Sequence, residues 1–369
     1  MLMPRLRSLA TAAMLLVMAD GSDQAYCVDA PALAAPMQMT AAAGPLLPEA
    51  LWGAYRNHFI FPEGRLWDDG NDGVSHTEGQ GYAMLLAVFA DDRATFARVW
   101  AWTSRELFIR PDGLGAWRWE AGDSPHVKDR NNATDGDLLI AWALAEAAER
   151  WEVPAYRAAA RKLALAIGRS ATQPTGLGRV LMPGVAGFSA GEMPDGPIVN
   201  LSYWVFPAFD ALAKVAPEVD WEALRANGLR LIKASRFGPA GLPSDWISLR
   251  GRQPEPAEKF PKTFGYNAIR IPLYLAWVNA ADRDALAPFV EHWKGLGTSQ
   301  PSVIDVVSGR AVEPFYDTGY QAVVSLAACA VDGARFPDEL KTVRLGSYYA
   351  TTIQLLSLIA LRQRYAQCW

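Results

Sequence analysis

From Leu47 onward, apolar residues recur at helical spacing in twelve segments separated by clusters of Gly, Pro, Asp and Asn, and strand-like alternation is scarce. A chain patterned this way has to stack helices. The spacing predicts helices near 48–60, 78–90, 92–108, 135–150, 154–170, 201–215, 220–235, 265–280, 282–294, 316–330, 336–343 and 348–366. Short and long connections alternate, which suggests antiparallel hairpins burying one another's apolar faces as an open solenoid or a closed ring. No repeated motif supports a solenoid. In a closed double ring, alternate helices line the centre, run the same way and bring their N-termini to one end.

A site at that end would place polar and aromatic residues at the start of every second helix. The sequence has them: Glu78 opens the second segment, Asp135 the fourth, Tyr203 the sixth, Asn267 the eighth, Asp317 the tenth, and Tyr348 with Tyr349 the twelfth.

A length of 369 residues would accommodate two domains, but no Gly/Ser-rich or Pro-rich linker divides the chain, so 35–369 reads as one domain. Ahead of it, Arg5 and Arg7 precede an apolar stretch from Leu9 to Met18 and then Ala32, Leu33 and Ala34, the order of a secretory signal peptide over 1–34. The apolar stretch falls short of the ~20 residues that span a bilayer, and an uncleaved anchor is the alternative. The expected location is therefore outside the cytoplasm, periplasmic or secreted.

The formal charge of −4 comes without a sustained basic run, which argues against nucleic acid as a partner. Cys27, Cys329 and Cys368 form no CxxC pair and lie too far apart for a zinc site; with Cys27 removed on export, Cys329 and Cys368 are left as a potential disulfide. His58, His76, His126 and His292 fall at unrelated spacings, pointing to structural or surface roles. No GxSxG elbow, phosphate loop, HExxH or dinucleotide fingerprint is present. Neither a metal nor a cofactor is expected.

Paired carboxylates remain. Cleaving a glycosidic bond needs one carboxylic acid to protonate the leaving oxygen and a second group to activate water or attack carbon. Glu78 lies in HTEGQGYAM, where Gly79 and Gly81 would let a substrate approach the backbone, and Asp135 lies with Asp137 in NATDGDLLIAW. Each has a plain structural reading too. Ser75 to Glu78 matches an S-x-x-E capping box, and Asp135 and Asp317 look like N-caps. A helix N-terminus favours an ionised carboxylate, so a general acid at Glu78 would need an apolar surround to raise its pKa. Trp67, Trp117, Trp119 and Tyr82 lie near these segments and are candidates for it; of the fourteen tryptophans, Trp117 and Trp119, in the loop sequence AWRWE, are candidate stacking faces for sugar rings.

The run ATDGDLLIAWALAEAAERW at 133–151 resembles the signature of glycoside hydrolase family 8. The likeness extends through WDDGNDGVSHTEGQGYAM at 67–84, AWRW at 116–119, NLSYW at 200–204, GLPSDW at 241–246 and YNAIR at 266–270. Within the family, the chain is most similar to endoglucanases encoded with bacterial cellulose synthases. The resemblance implies an (α/α)6 barrel of six inner and six outer helices, a monomer, a β-1,4-glucan chain such as cellulose as partner, and a link to the cellulose synthase machinery. It also implies inversion of configuration, with Glu78 as proton donor and Asp135 as the second signature carboxylate, either as nucleophile or as a residue holding the distorted central sugar.

One position departs from the pattern. Where many members read Tyr-Asp-x-x-Arg, this chain has Asn267, whose amide cannot take a proton. Either Asn267 orients water while Asp135, Asp245 or Asp317 acts as base, or turnover is slow, or catalysis is lost and the chain is a glucan-binding accessory. Arg270 is expected to bind a carboxylate or a sugar hydroxyl, and Tyr203 to contact substrate. Chitosan, xylan and mixed-linkage glucan are the alternative substrates within the family.

Overall fold

The computed structural model describes residues 37–38, 45–278, 282–295 and 300–369. The expected signal segment and Cys27 lie outside them. Among the described residues, eleven α-helices follow one another: α1 Glu49–Phe59, α2 Thr77–Phe89, α3 Arg93–Glu106, α4 Thr134–Trp151, α5 Pro154–Ser170, α6 Phe206–Val215, α7 Trp221–Ala234, α8 Arg270–Trp277, α9 Arg283–Gly295, α10 Thr318–Asp332 and α11 Tyr348–Arg364.

Burial sorts them into two rings. Helices α2, α4, α8 and α11 are apolar and buried around nearly their whole circumference, whereas α3, α5, α7 and α9 each bury one stripe. The inner ring runs α2, α4, α6, α8, α10, α11, and it closes where Tyr55 of α1 and Thr352 of α11 share a hydrogen bond of 2.8 Å. Its centre is filled. The Tyr82 and Tyr274 hydroxyls meet at 2.5 Å across the axis, and Phe89, Trp142 and Trp277 pack edge to face and tilted at the C-terminal end. A ligand therefore has the N-terminal end of the inner helices to bind.

Three expected helices differ, each for a local reason. The segment at 336–343 forms a 3₁₀ turn, Asp338–Lys341, and a short strand, Thr342–Val343, paired with Met37–Gln38. Gln354 of α11 donates to the Leu340 and Thr342 carbonyls, which an α-helix would need for itself. The sixth segment opens as a 3₁₀ turn, Leu201–Tyr203, and becomes α6 at Phe206, where Pro207 fits the first turn. The eighth starts at Arg270, because Asp245 Oδ1 holds the Gly265 and Ala268 N–H groups in a separate turn.

Cys329 and Cys368 are joined as a disulfide that fastens the chain end to α10. The crosslink spans 39 residues, and chain entropy over such a loop corresponds to about 4 kcal/mol of stability. Cys329→Ser is expected to lower the urea midpoint accordingly in non-reducing buffer. An unchanged midpoint would show that the crosslink contributes nothing.

Candidate active site

The start of α2 is built so that Glu78 is left free. His76, not Ser75, is the N-cap: its Nδ1 accepts from Gly79 N at 3.0 Å while Nε2 faces Asp68 Oδ2 at 3.1 Å. Ser75 Oγ donates to the Leu66 carbonyl at 2.5 Å. The capping box suggested by the sequence therefore does not form, and the Glu78 carboxyl points elsewhere.

Asp135 comes alongside through a close helix crossing. A Cβ on Gly136 would fall 2.1 Å from Thr77 Oγ1 and 2.6 Å from Glu78 N, so α2 and α4 touch backbone to backbone at their first turns. Gly79 and Gly81 serve packing as well. Their missing Cβ atoms would meet Leu66 at 2.3 Å and Leu139 at 2.6 Å, so they make room for neighbouring side chains rather than for a substrate.

Arg270, the first residue of α8, ties the cluster together. Its Nη1 donates to Glu78 Oε2 at 2.5 Å and to Asp135 Oδ2 at 2.8 Å, which caps the separation of those two oxygens at 5.3 Å. Its Nη2 donates to Ser202 Oγ at 3.0 Å and Asn267 Oδ1 at 2.9 Å, and its guanidinium sits 5.6 Å from the Tyr203 ring centre. The side chains of Arg270 and Asp135 are each 2% exposed, and that of Glu78 is 18% exposed.

Burial dominates the electrostatics. It lifts the Glu78 carboxyl to about 7, with Asp135 adding to the rise and Arg270 and His76 opposing it. Asp245 is lifted to about 6 by burial, against the pull of the Ala268 and Gly265 N–H groups and of Arg270. The Ala268 and Gly265 N–H groups bind Oδ1, at 2.8 and 3.0 Å, and the Asn267 N–H also steadies the ionised carboxylate. Asp137 is also lifted to about 7 by burial, but it is tied to Gly115 N and Asn132 Nδ2 and braces a loop.

The other expected residues divide. Asp135 lies in the first turn of α4, whose N-cap is Ala133, and Asp317 stands at the N-cap of α10 without capping it. Asp317 accepts from Ser347 Oγ at 3.1 Å and is not an Arg270 partner. Trp117 is half-buried beside the site, its carbonyl accepting from Thr77 N at 3.0 Å. Trp119 belongs to a satellite core with Trp102, Leu107, Ala116 and Val127, its ring 5.4 Å from Trp102 and 4.4 Å from His126. Sequence reasoning paired the two tryptophans, but Trp117 lies at a bend just ahead of the strand Arg118–Trp119 and donates its Nε1 to Asp129 Oδ2 at 2.8 Å, whereas Trp119 packs into the satellite core. It also passed over Ser202, which sits inside the quoted NLSYW run but carries no charge to mark it.

A largely buried carboxyl pair held on one guanidinium at the mouth of a side-chain-filled helical barrel is an arrangement suited to acid–base chemistry. The sequence matches the model of glycosyl hydrolases family 8 over residues 23–363. It is 37% identical to a probable endoglucanase of Novacetimonas hansenii over 313 residues, 84% of this chain and 89% of the relative. It is 39% identical to an endoglucanase of Cellulomonas uda over 255 residues, 69% of this chain and 68% of the relative. The endo-β-1,4-glucanase structure from Acetobacter xylinum matches with a TM-score of 0.77 at 35% identity, covering 86% of this chain and 98% of that one. A family 8 endoglucanase of Klebsiella pneumoniae matches with a TM-score of 0.76 at 34% identity, over 85% and 100%. The chain belongs to glycosyl hydrolase family 8, and its helices form the (α/α)6 barrel of those neighbours.

Proposed function

We propose that this chain is an endo-β-1,4-glucanase that cleaves internal bonds of cellulose with inversion, using Glu78 as acid and Asp245 as base. The observation carrying the acid assignment is that Arg270 holds the largely buried Glu78 carboxyl, which is not spent on a helix cap, and burial pushes that carboxyl up to about 7. An inverting pair must stand ~6.5 to 9.5 Å apart to admit water. Glu78 and Asp135 oxygens within 5.3 Å leave no such gap, which favours Asp135 as the group that steadies the oxocarbenium-like sugar.

Asp245 fits the base for two reasons. It underpins the turn that carries Asn267, and its raised pKa makes it a better proton acceptor than an exposed aspartate. The Asn267 amide oxygen is occupied by Arg270, so its Nδ2 is left to donate to the attacking water and orient it. Proton NMR of fresh product is the test: the α-anomer is expected first from a β-glucan, and the β-anomer first would rule out inversion.

The two pKa values give the pH profile. A base at about 6 must be ionised and an acid at about 7 must be protonated, so kcat/KM falls below about 6 as Asp245 gains a proton and above about 7 as Glu78 loses its own. A narrow bell centred between those values is expected. A flat profile from pH 4 to 9 would contradict both assignments.

The Arg5, Arg7 and Leu9 to Met18 segment supports export to the periplasm or beyond, and the Cys329–Cys368 bridge suits an oxidising compartment. The resemblance to synthase-associated endoglucanases supports a monomer working beside a cellulose synthase. Co-purification with the synthase tests that placement.

A further inference from the structure

Away from Arg270, the three most exposed large apolar side chains among the described residues fall in one hairpin and the segment that follows it. Tyr316 is 77% exposed, Val312 62% and Val307 60%. The hairpin, Ser302–Asp305 with Ala311–Pro314, pairs through Ile304 with Phe264, and the chain from Phe264 runs directly into the turn that carries Asn267. The rim is thus continuous with the site.

It is also held rigidly. Phe315 is buried, stacked on Tyr320 at 4.5 Å and set edge-on to Tyr266 at 5.0 Å, which fixes the backbone from which Tyr316 projects. Tyr266 donates its hydroxyl to Glu313 Oε1 at 3.1 Å, its carbonyl accepts from Tyr349 OH at 2.6 Å, and Tyr316 lies within electrostatic reach of its phenol. Tyr349 in turn senses Arg270 and Glu78. A bare, pre-ordered ring at the end of this chain of contacts is an outlay in exposed apolar surface that a purely structural hairpin would not need.

We propose that Tyr316 is the platform of an outer glucan subsite, stacking on the apolar face of a sugar beyond those in reach of Glu78, with the Glu313 carboxylate accepting from its hydroxyls. This rests on the glucanase reading above and extends it to chain-length preference. The occupant is the substrate chain itself, because an extended polymer bound at the Arg270 cluster and leaving past Asn267 runs over this rim. An aromatic face with an acidic acceptor beside it matches a sugar's apolar face and hydroxyl edge.

The test compares wild type, Tyr316→Ala and Tyr316→Phe on cello-oligosaccharides from trimer to hexamer, and measures cellohexaose affinity by calorimetry in a Glu78→Gln background. Tyr316→Ala is expected to lose roughly tenfold in kcat/KM on the hexamer and little on the shortest oligomer cleaved, with Tyr316→Phe close to wild type. Cellohexaose should bind the Ala variant roughly tenfold more weakly. Equal behaviour of wild type and Tyr316→Ala at every length, or an equal loss at every length, would overturn the subsite. If the wild type cleaves nothing, the calorimetric arm decides: weaker binding by the Ala variant keeps the subsite and sinks the hydrolytic reading, and unchanged or absent binding sinks the subsite.

Discussion

Glu78→Gln is expected to lower turnover of cello-oligosaccharides by 10²–10⁴-fold, the usual cost of removing a general acid, with little change in affinity. The amide keeps the shape of the side chain and can still accept from Arg270 through its oxygen, so the cluster stays assembled. It cannot give up a proton to the leaving oxygen. Folding should not suffer, because His76 rather than Glu78 caps α2, and the carboxyl is already raised towards neutrality by burial. Stopped assays of cellohexaose cleavage, with calorimetric binding beside them, separate the two effects. A variant retaining a tenth or more of wild-type turnover would remove Glu78 from the role of acid.

Asp245→Asn is the second large effect, also 10²–10⁴-fold in kcat. Asparagine keeps an oxygen for the Gly265 and Ala268 N–H groups, so the turn ahead of α8 should survive, while the group that receives the water proton is gone. The alkaline limb of the pH profile belongs to Glu78 and should remain in the residual activity, whereas the acid limb near 6 should disappear. That split distinguishes a base from a residue that merely shapes the turn. Near-normal activity in Asp245→Asn would move the search to Asp317, whose bond to Ser347 places it at the start of α10.

The barrel was readable in the sequence because its inner and outer helices bury different amounts of surface, and the apolar period records that directly. Glu78, Asp135, Tyr203 and Asn267 could be gathered from the expectation that alternate N-termini converge, and the structure brings all four to the guanidinium of Arg270, a residue marked by the family resemblance. What pattern reading missed is tertiary. His76 displaces Ser75 as cap because Asp68, eight residues earlier, orients its ring, and no local motif reports that contact. Asp245 delays the start of α8 from twenty residues away. Trp119 looks like its neighbour Trp117, yet its ring packs into the satellite core while the Trp117 indole is held by Asp129. Gly79 and Gly81 looked like openings for substrate, but their space is already filled by Leu66 and Leu139.

Asn267 is the residue on which the account turns, because an amide where many family members carry a carboxylate allows either a relocated base or a lost one. The most direct test is release of reducing ends from carboxymethylcellulose by the purified chain as it stands, assayed between pH 6 and 7 where Asp245 and Glu78 are both in their working states. Steady release that disappears in Glu78→Gln is the predicted result. A folded chain that binds cello-oligosaccharides yet releases no ends from this or any other β-1,4-glycan would contradict the account and make Asn267 the mark of a glucan-binding protein.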